Sequence, residues 1–168
     1  MSGPAEPTGV LRSGELVGFA RELADSPERW RDLVGQERSA RVYETLWSDE
    51  HVNAWVICWP DDSDTGFHDH DTSAAAIVVI EGSVLEERLA LSGPPLSRRY
   101  EAGASFHLPA SAIHRVRHGG GPPALTIHAY SPPLRQQGVY SVGRDGVLER
   151  ESAPYTEELR AQAGGLRG

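Results

Sequence analysis

Gly66-Phe67-His68-Asp69-His70-Asp71-Thr72-Ser73 runs straight into an apolar stretch over residues 74–80, which closes on Glu81-Gly82. Alternate side chains of a strand point to the same face, so a strand through His68 and His70 presents both imidazoles together. The continuous apolar run that follows suits a strand buried on both faces. A third histidine, His114, brought in by a later strand would complete a facial set of three neutral nitrogen ligands. Three protein ligands leave metal positions open, which is the layout of a reactive rather than a structural site.

Working outward, short runs rich in β-branched and aromatic residues lie on both sides. Upstream they include Val42, Leu46, Val52, Ala54, Val56 and Ile57. Downstream, residues 84–91 alternate and are expected to return as a hairpin after Glu81-Gly82. Further strands are expected over 105–108, 113–116, 124–130 and 138–142. Clusters such as Pro60-Asp61-Asp62-Ser63-Asp64 and Ser92-Gly93-Pro94-Pro95 separate them as turns. Before residue 41 the pattern is helical. Leu16, Val17, Phe19, Ala20 and Leu23 recur at helical spacing behind Ser13 as N-cap, and Ser26-Pro27 opens a second start with Trp30, Leu33 and Val34 on one face. Tyr155, Leu159 and Ala163 repeat that spacing near the end, predicting a short C-terminal helix over 154–163. The fold class is therefore mainly β: an antiparallel barrel or jelly roll with a short N-terminal helical preface and a short C-terminal helix. The division is residues 1–40 as tail and helices packed on the barrel, and 41–168 as the barrel with its extension, in one domain.

Composition narrows the function. Hydrophobic residues are 39% and charged residues 24%, which suits a folded domain. A net charge of -8 disfavours nucleic acid or an anionic membrane as partner. No stretch approaches the roughly 20 apolar residues of a membrane span. Residues 1–8 are polar and rich in Pro and Gly, without the apolar centre of a secretion signal, so a cytoplasmic protein is expected. The single cysteine, Cys58, excludes an internal disulfide and leaves metal binding to histidines and carboxylates.

The spacing around the histidines resembles the two-part pattern of cupins. His68-Asp69-His70 is followed at the cupin interval by Ala75, where that pattern has a Glu ligand, and then by Gly82. Gly103, Pro109 and His114 fall on the second part, with Ser111 in place of its inner Gly. A cupin that lacks the carboxylate and keeps three histidines is typical of thiol dioxygenases. Ile57-Cys58-Trp59, His68-Asp69-His70, Ile113-His114-Arg115-Val116 and Thr126-Ile127-His128-Ala129-Tyr130-Ser131-Pro132-Pro133 resemble the cysteine dioxygenase family in order and separation.

That resemblance implies Fe(II) held by His68, His70 and His114, and oxidation of a small thiol by O2 to a sulfinic acid. Independently, a neutral three-histidine set leaves the metal its full charge, which favours an anionic thiolate. The resemblance also implies a line of Thr126, His128 and Tyr130 beside the iron, with Thr126 orienting His128 and His128 orienting Tyr130. Two departures bear on the substrate. The cysteine that mammalian-type members crosslink to the tyrosine is here Ala75. Their substrate-anchoring arginine aligns with Val42, and Arg41 lies one residue away, on the opposite strand face unless the register slips. Arg41, Tyr43, Trp55 and Ala75 are the candidate substrate-binding residues. A pocket lined by Tyr43, Trp47, Trp55 or Trp59 would also suit a larger or cationic thiol such as ergothioneine. Cysteine, mercaptopropionate and ergothioneine all stay open as substrates, as does a different metal-dependent cupin reaction. A monomer is expected.

Overall fold

The computed structural model describes residues 4–34, 38 and 41–155. In chain order it holds α1 (Ser13–Ala24), a 3-10 turn (Pro27–Arg29) and α2 (Arg31–Val34). The strands follow: β1 (Val42–Ser48), β2 (Asn53–Trp59), β3 (His68–Asp69), β4 (Ala74–Glu81), β5 (Ser83–Arg88), β6 (Leu96–Glu101), β7 (Ser105–Leu108), β8 (His114–His118), β9 (Ala124–Ser131), β10 (Gln136–Val142) and β11 (Leu148–Pro154). One sheet has the order β1-β2-β9-β4-β7 and the other β11-β10-β3-β8-β5-β6. The pairings within both are antiparallel. This is the double-sheet jelly roll that the strand spacing predicts.

The continuous apolar runs have a direct cause. The first sheet is covered on both faces. On its outer face Ala54, Val56, Cys58, Ala76, Val78, Ile127 and Ala129 pack against Leu16, Phe19, Ala20 and Leu23 of α1, with Trp30 and Val34 from the next turns. On its inner face Trp55, Ile57, Trp59, Ala75, Ile77 and Tyr130 pack against Val84, Tyr100 and Val116 of the second sheet. Every residue of β2 and β9 is buried. Neither strand therefore alternates between apolar and polar positions.

Several sequence expectations are corrected. Residues 84–88 do not fold back on β4. At Gly82 the chain leaves the first sheet, and β5 pairs with β6 and β8 in the second. Strands β6 and β11 went unforeseen. The N-cap position of α1 is Arg12 rather than Ser13, and Glu15 Oε2 accepts the Arg12 backbone N–H at 2.8 Å. In the second helical segment Leu33 is exposed while Trp30 and Val34 are buried. The expected C-terminal helix lies beyond the described residues apart from Pro154, which ends β11, and Tyr155, which sits in a turn. A register shift between Thr45 and Trp47 breaks the alternation of β1. It turns Trp47 to the outer face, where its ring meets Phe19 edge-on at 5.3 Å. Trp47 thus belongs to the helix-packing side and does not line a barrel pocket.

Gly82 makes the crossing possible. Its φ is +67°, and a Cβ there would stand 2.8 Å from Ala124 Cα. Both backbone conformation and space exclude a side chain. Gly82→Ala should lower stability by about 2 kcal/mol or more, read as a lower urea midpoint with an unchanged slope.

Candidate metal centre

The three histidines meet inside the barrel. His68 on β3 pairs directly with His114 on β8, and His70 follows two residues later on the same face. All three are buried. His70 Nε2 lies 3.2 Å from His68 Nε2 and 3.3 Å from His114 Nε2. Three nitrogens holding one metal at about 2.1 Å, at roughly right angles, stand about 3 Å apart. The donor set therefore fits a metal ion, and its ligand atoms all fall within 4.8 Å of one another.

Surrounding groups aim these rings. The Gly66 carbonyl lies 3.0 Å from His68 Nδ1 and accepts its proton, which leaves the Nε2 lone pair facing the centre. Behind His114, Glu86 Oε1 stands 3.6 Å from Nδ1, an ion-pair distance, and accepts a hydrogen bond from Arg88 Nε at 2.6 Å. Burial pushes the Glu86 carboxyl up from its usual value, against the lowering effect of Arg88. Between the two ligand residues of the His-x-His pair, Asp69 points the other way. Its carboxylate accepts from Arg150 Nε at 2.8 Å, Tyr140 Oη at 2.6 Å and the Gly138 backbone N–H at 3.0 Å. Burial alone would raise its pKa, but these partners hold it well below the usual carboxylate range. The clamp ties β3, only two residues long, to β10 and β11.

Tyr130 enters from the first sheet. Its ring lies 5.0 Å from the His70 ring, and its Oη is hydrogen-bonded to His128 Nδ1 at 3.1 Å. Trp59 stacks on His128 with centroids 5.8 Å apart. Thr126 Oγ1 accepts from Trp59 Nε1 at 2.8 Å, which links Thr126 to His128 through the indole. Ala75 is the cross-strand partner of Tyr130, on the face they share. A methyl group occupies the place where a thiol would have to stand for a crosslink.

Val42 packs on the outer, helix-side cluster and Tyr43 on the inner one. Arg41 shares the inner face, with its guanidinium carbon 4.4 Å from the Trp59 ring centre. The neighbour of the aligned anchor position, not that position itself, faces the barrel interior. Trp55 is 4% exposed and stacks on Tyr155 at 5.5 Å while tilting against Tyr130 at 5.4 Å. A pocket of about 400 Å³ is lined by His70, Thr72, Ser73, Pro132, Pro133 and Arg135, among others. His107 is exposed and takes no part.

Glu86 and Tyr155 were not anticipated. Glu86 sits in an alternating strand, where a lone carboxylate reads as a solvent-facing residue. Tyr155 matched a helical spacing that continued past it.

An inward cluster of three histidines on a two-sheet barrel defines a cupin-type metal-site protein. The family model for cysteine dioxygenase type I matches residues 19–142, and the chain belongs to that family. No curated protein matches it. Among solved structures, the protein TT1209 of Thermus thermophilus is 18% identical with a TM-score of 0.53, over 61% of this chain and 93% of that one. An uncharacterized double-stranded β-helix protein of Klebsiella pneumoniae is 13% identical with a TM-score of 0.52, over 61% of this chain and 80% of that one. An RmlC-like cupin of Methanocaldococcus jannaschii is 17% identical with a TM-score of 0.50, over 58% of this chain and 85% of that one. At these identities the structures speak for the fold alone.

Glu86→Gln keeps the shape and removes the charge behind His114. It should weaken Fe(II) or Zn(II) binding about tenfold in a chelator competition, with the circular dichroism spectrum unchanged.

Proposed function

We propose that the protein is a mononuclear iron thiol dioxygenase. It adds both atoms of O2 to the sulfur of a small, amino-acid-derived thiol and releases a sulfinic acid. The observation that carries this reading is the convergence of His68, His70 and His114 Nε2 beside Tyr130, with Ala75 where a carboxylate ligand would stand. Fe(II) in this set would supply the place where thiolate and O2 meet. The electrons that O2 needs come from the sulfur itself, so no organic cofactor or outside reductant is required, and the thiol proton ends on the sulfinic acid or in solvent.

The chain's own residues have separable tasks in this scheme. Tyr130 Oη offers a hydrogen bond over the open side of the histidine set, and His128 fixes that hydroxyl's direction. Trp59, pinned by Thr126, keeps the His128 ring in plane. Arg41 presents a cation to the interior, suited to a substrate carboxylate, with Tyr43 on the same face. Trp55, Ile57, Ile77 and Leu108 surround the site with apolar surface and exclude bulk water. The stacked Trp55–Tyr155 pair favours ergothioneine as a second substrate candidate, since aromatic faces bind quaternary ammonium groups.

A monomer is the working unit in this reading. Among the described residues no helix is long and apolar enough to cross a membrane. The cytoplasm, which keeps small thiols reduced, is the compartment this chemistry suits.

Iron-loaded protein should consume O2 with at least one member of a panel of cysteine, 3-mercaptopropionate and ergothioneine, giving a product heavier by two oxygen atoms in mass spectrometry. No uptake with any of them counts against the reading, and turnover that survives replacement of iron by zinc favours a different cupin reaction. For a carboxylate thiol, Arg41→Leu should raise KM on the order of a hundredfold while Tyr130→Phe acts mainly on kcat.

A further inference from the structure

Gln137 on β10 is 2% exposed, and its carboxamide oxygen has no hydrogen-bond partner among the described residues. A buried amide left this way is costly, and native proteins rarely keep one without use. Its direction follows from the strand register. Gly138 pairs with Asp69 and Val139 with His68. A Cβ on Gly138 would run into Arg150 and the Asp69 carboxylate, so Gly138 faces the outer clamp. Side chains alternate along a strand, which turns Gln137 to the opposite, inner face. Continuing the β3–β10 register by one residue sets it beside His70. Its partner across the β10–β11 pairing is Ala153, which adds only a methyl group. Leu134 and Tyr155 of the inner cluster lie at this same end of the β10–β11 pairing, where the Tyr155 N–H donates to the Arg135 carbonyl.

We infer that Gln137 is a substrate-binding residue whose carboxamide oxygen accepts a hydrogen bond from an N–H group close to the thiol of the substrate. The inference rests on the dioxygenase reading and deepens it by naming the substrate class: a thiol with a nitrogen-bound hydrogen near the sulfur. Cysteine carries that hydrogen on its ammonium group and ergothioneine on its imidazole ring. In 3-mercaptopropionate, which matches cysteine in thiol and carboxylate spacing, a C–H takes the place of the amine. Arg41 serves the carboxylate of either compound; Gln137 tells them apart.

The test is calorimetric titration of the three thiols into iron-loaded protein in the absence of O2, with wild type and Gln137→Leu, together with the thermal midpoint of both proteins. Wild type should bind cysteine or ergothioneine more tightly than 3-mercaptopropionate. Gln137→Leu should lose about ten- to a hundredfold in affinity for the N–H thiols and at most about twofold for 3-mercaptopropionate. Its thermal midpoint should equal or exceed that of wild type, because an amide without a partner is replaced by an apolar group. A lower midpoint with equal losses for all three thiols assigns Gln137 a structural role and overturns the inference. So does unchanged affinity for the N–H thiols. If wild type binds none of the three, the dioxygenase reading itself fails, a result distinct from failure at Gln137.

Discussion

The close approach of three imidazole nitrogens, with His70 Nε2 at 3.2 Å and 3.3 Å from its two neighbours, is the arrangement the rest of this protein answers to. Neutral lone pairs do not gather so closely unless their surroundings hold them there or a cation joins them. Here the surroundings share the work among several elements. A carbonyl at Gly66 fixes one tautomer, and the Glu86 carboxylate stands behind His114. Asp69, facing away from the metal side, locks the two-residue ligand strand to Arg150 and Tyr140. The last contact shows how a very short strand is kept in register. Its stability comes from a charged side chain on its outer face rather than from its length.

The barrel supplies the second requirement, a dry interior. It does so by burying the first sheet on both faces, with α1 outside and the second sheet inside. Among the described residues the polar groups inside are placed: Tyr130 and His128 in a hydrogen-bonded pair, Thr126 on Trp59, Arg41 over the same indole, and Gln137 buried on β10.

Much of this was legible in the sequence, for identifiable reasons. The His-x-His pair depends only on strand alternation, and His114 on its interval from Gly103 and Pro109. The doubly buried strands announce themselves as unbroken apolar runs. Strands β6 and β11 did not, because their residues are almost all exposed and mostly polar, and only pairing with β5 and β10 makes them strands. The chain's exit at Gly82 into the other sheet leaves no local signature distinct from a hairpin turn. Trp47 was misplaced because a register shift in β1 reverses a face, which alternation alone cannot foresee. Glu86 and Gln137 became visible only in the folded chain, where Glu86 stands 3.6 Å from His114 Nδ1 although its strand partner is Val116, and where Gln137 follows Gly138, the partner of Asp69.

The account stands or falls on the reaction at the three histidines. Iron-loaded protein should be mixed with thiol under isotopically labelled O2 in ordinary water, and the sulfinic acid examined by mass spectrometry. Two labelled oxygens in the product, abolished when His68, His70 or His114 is replaced by alanine, is the predicted result. A product with one labelled oxygen, or none, would contradict it.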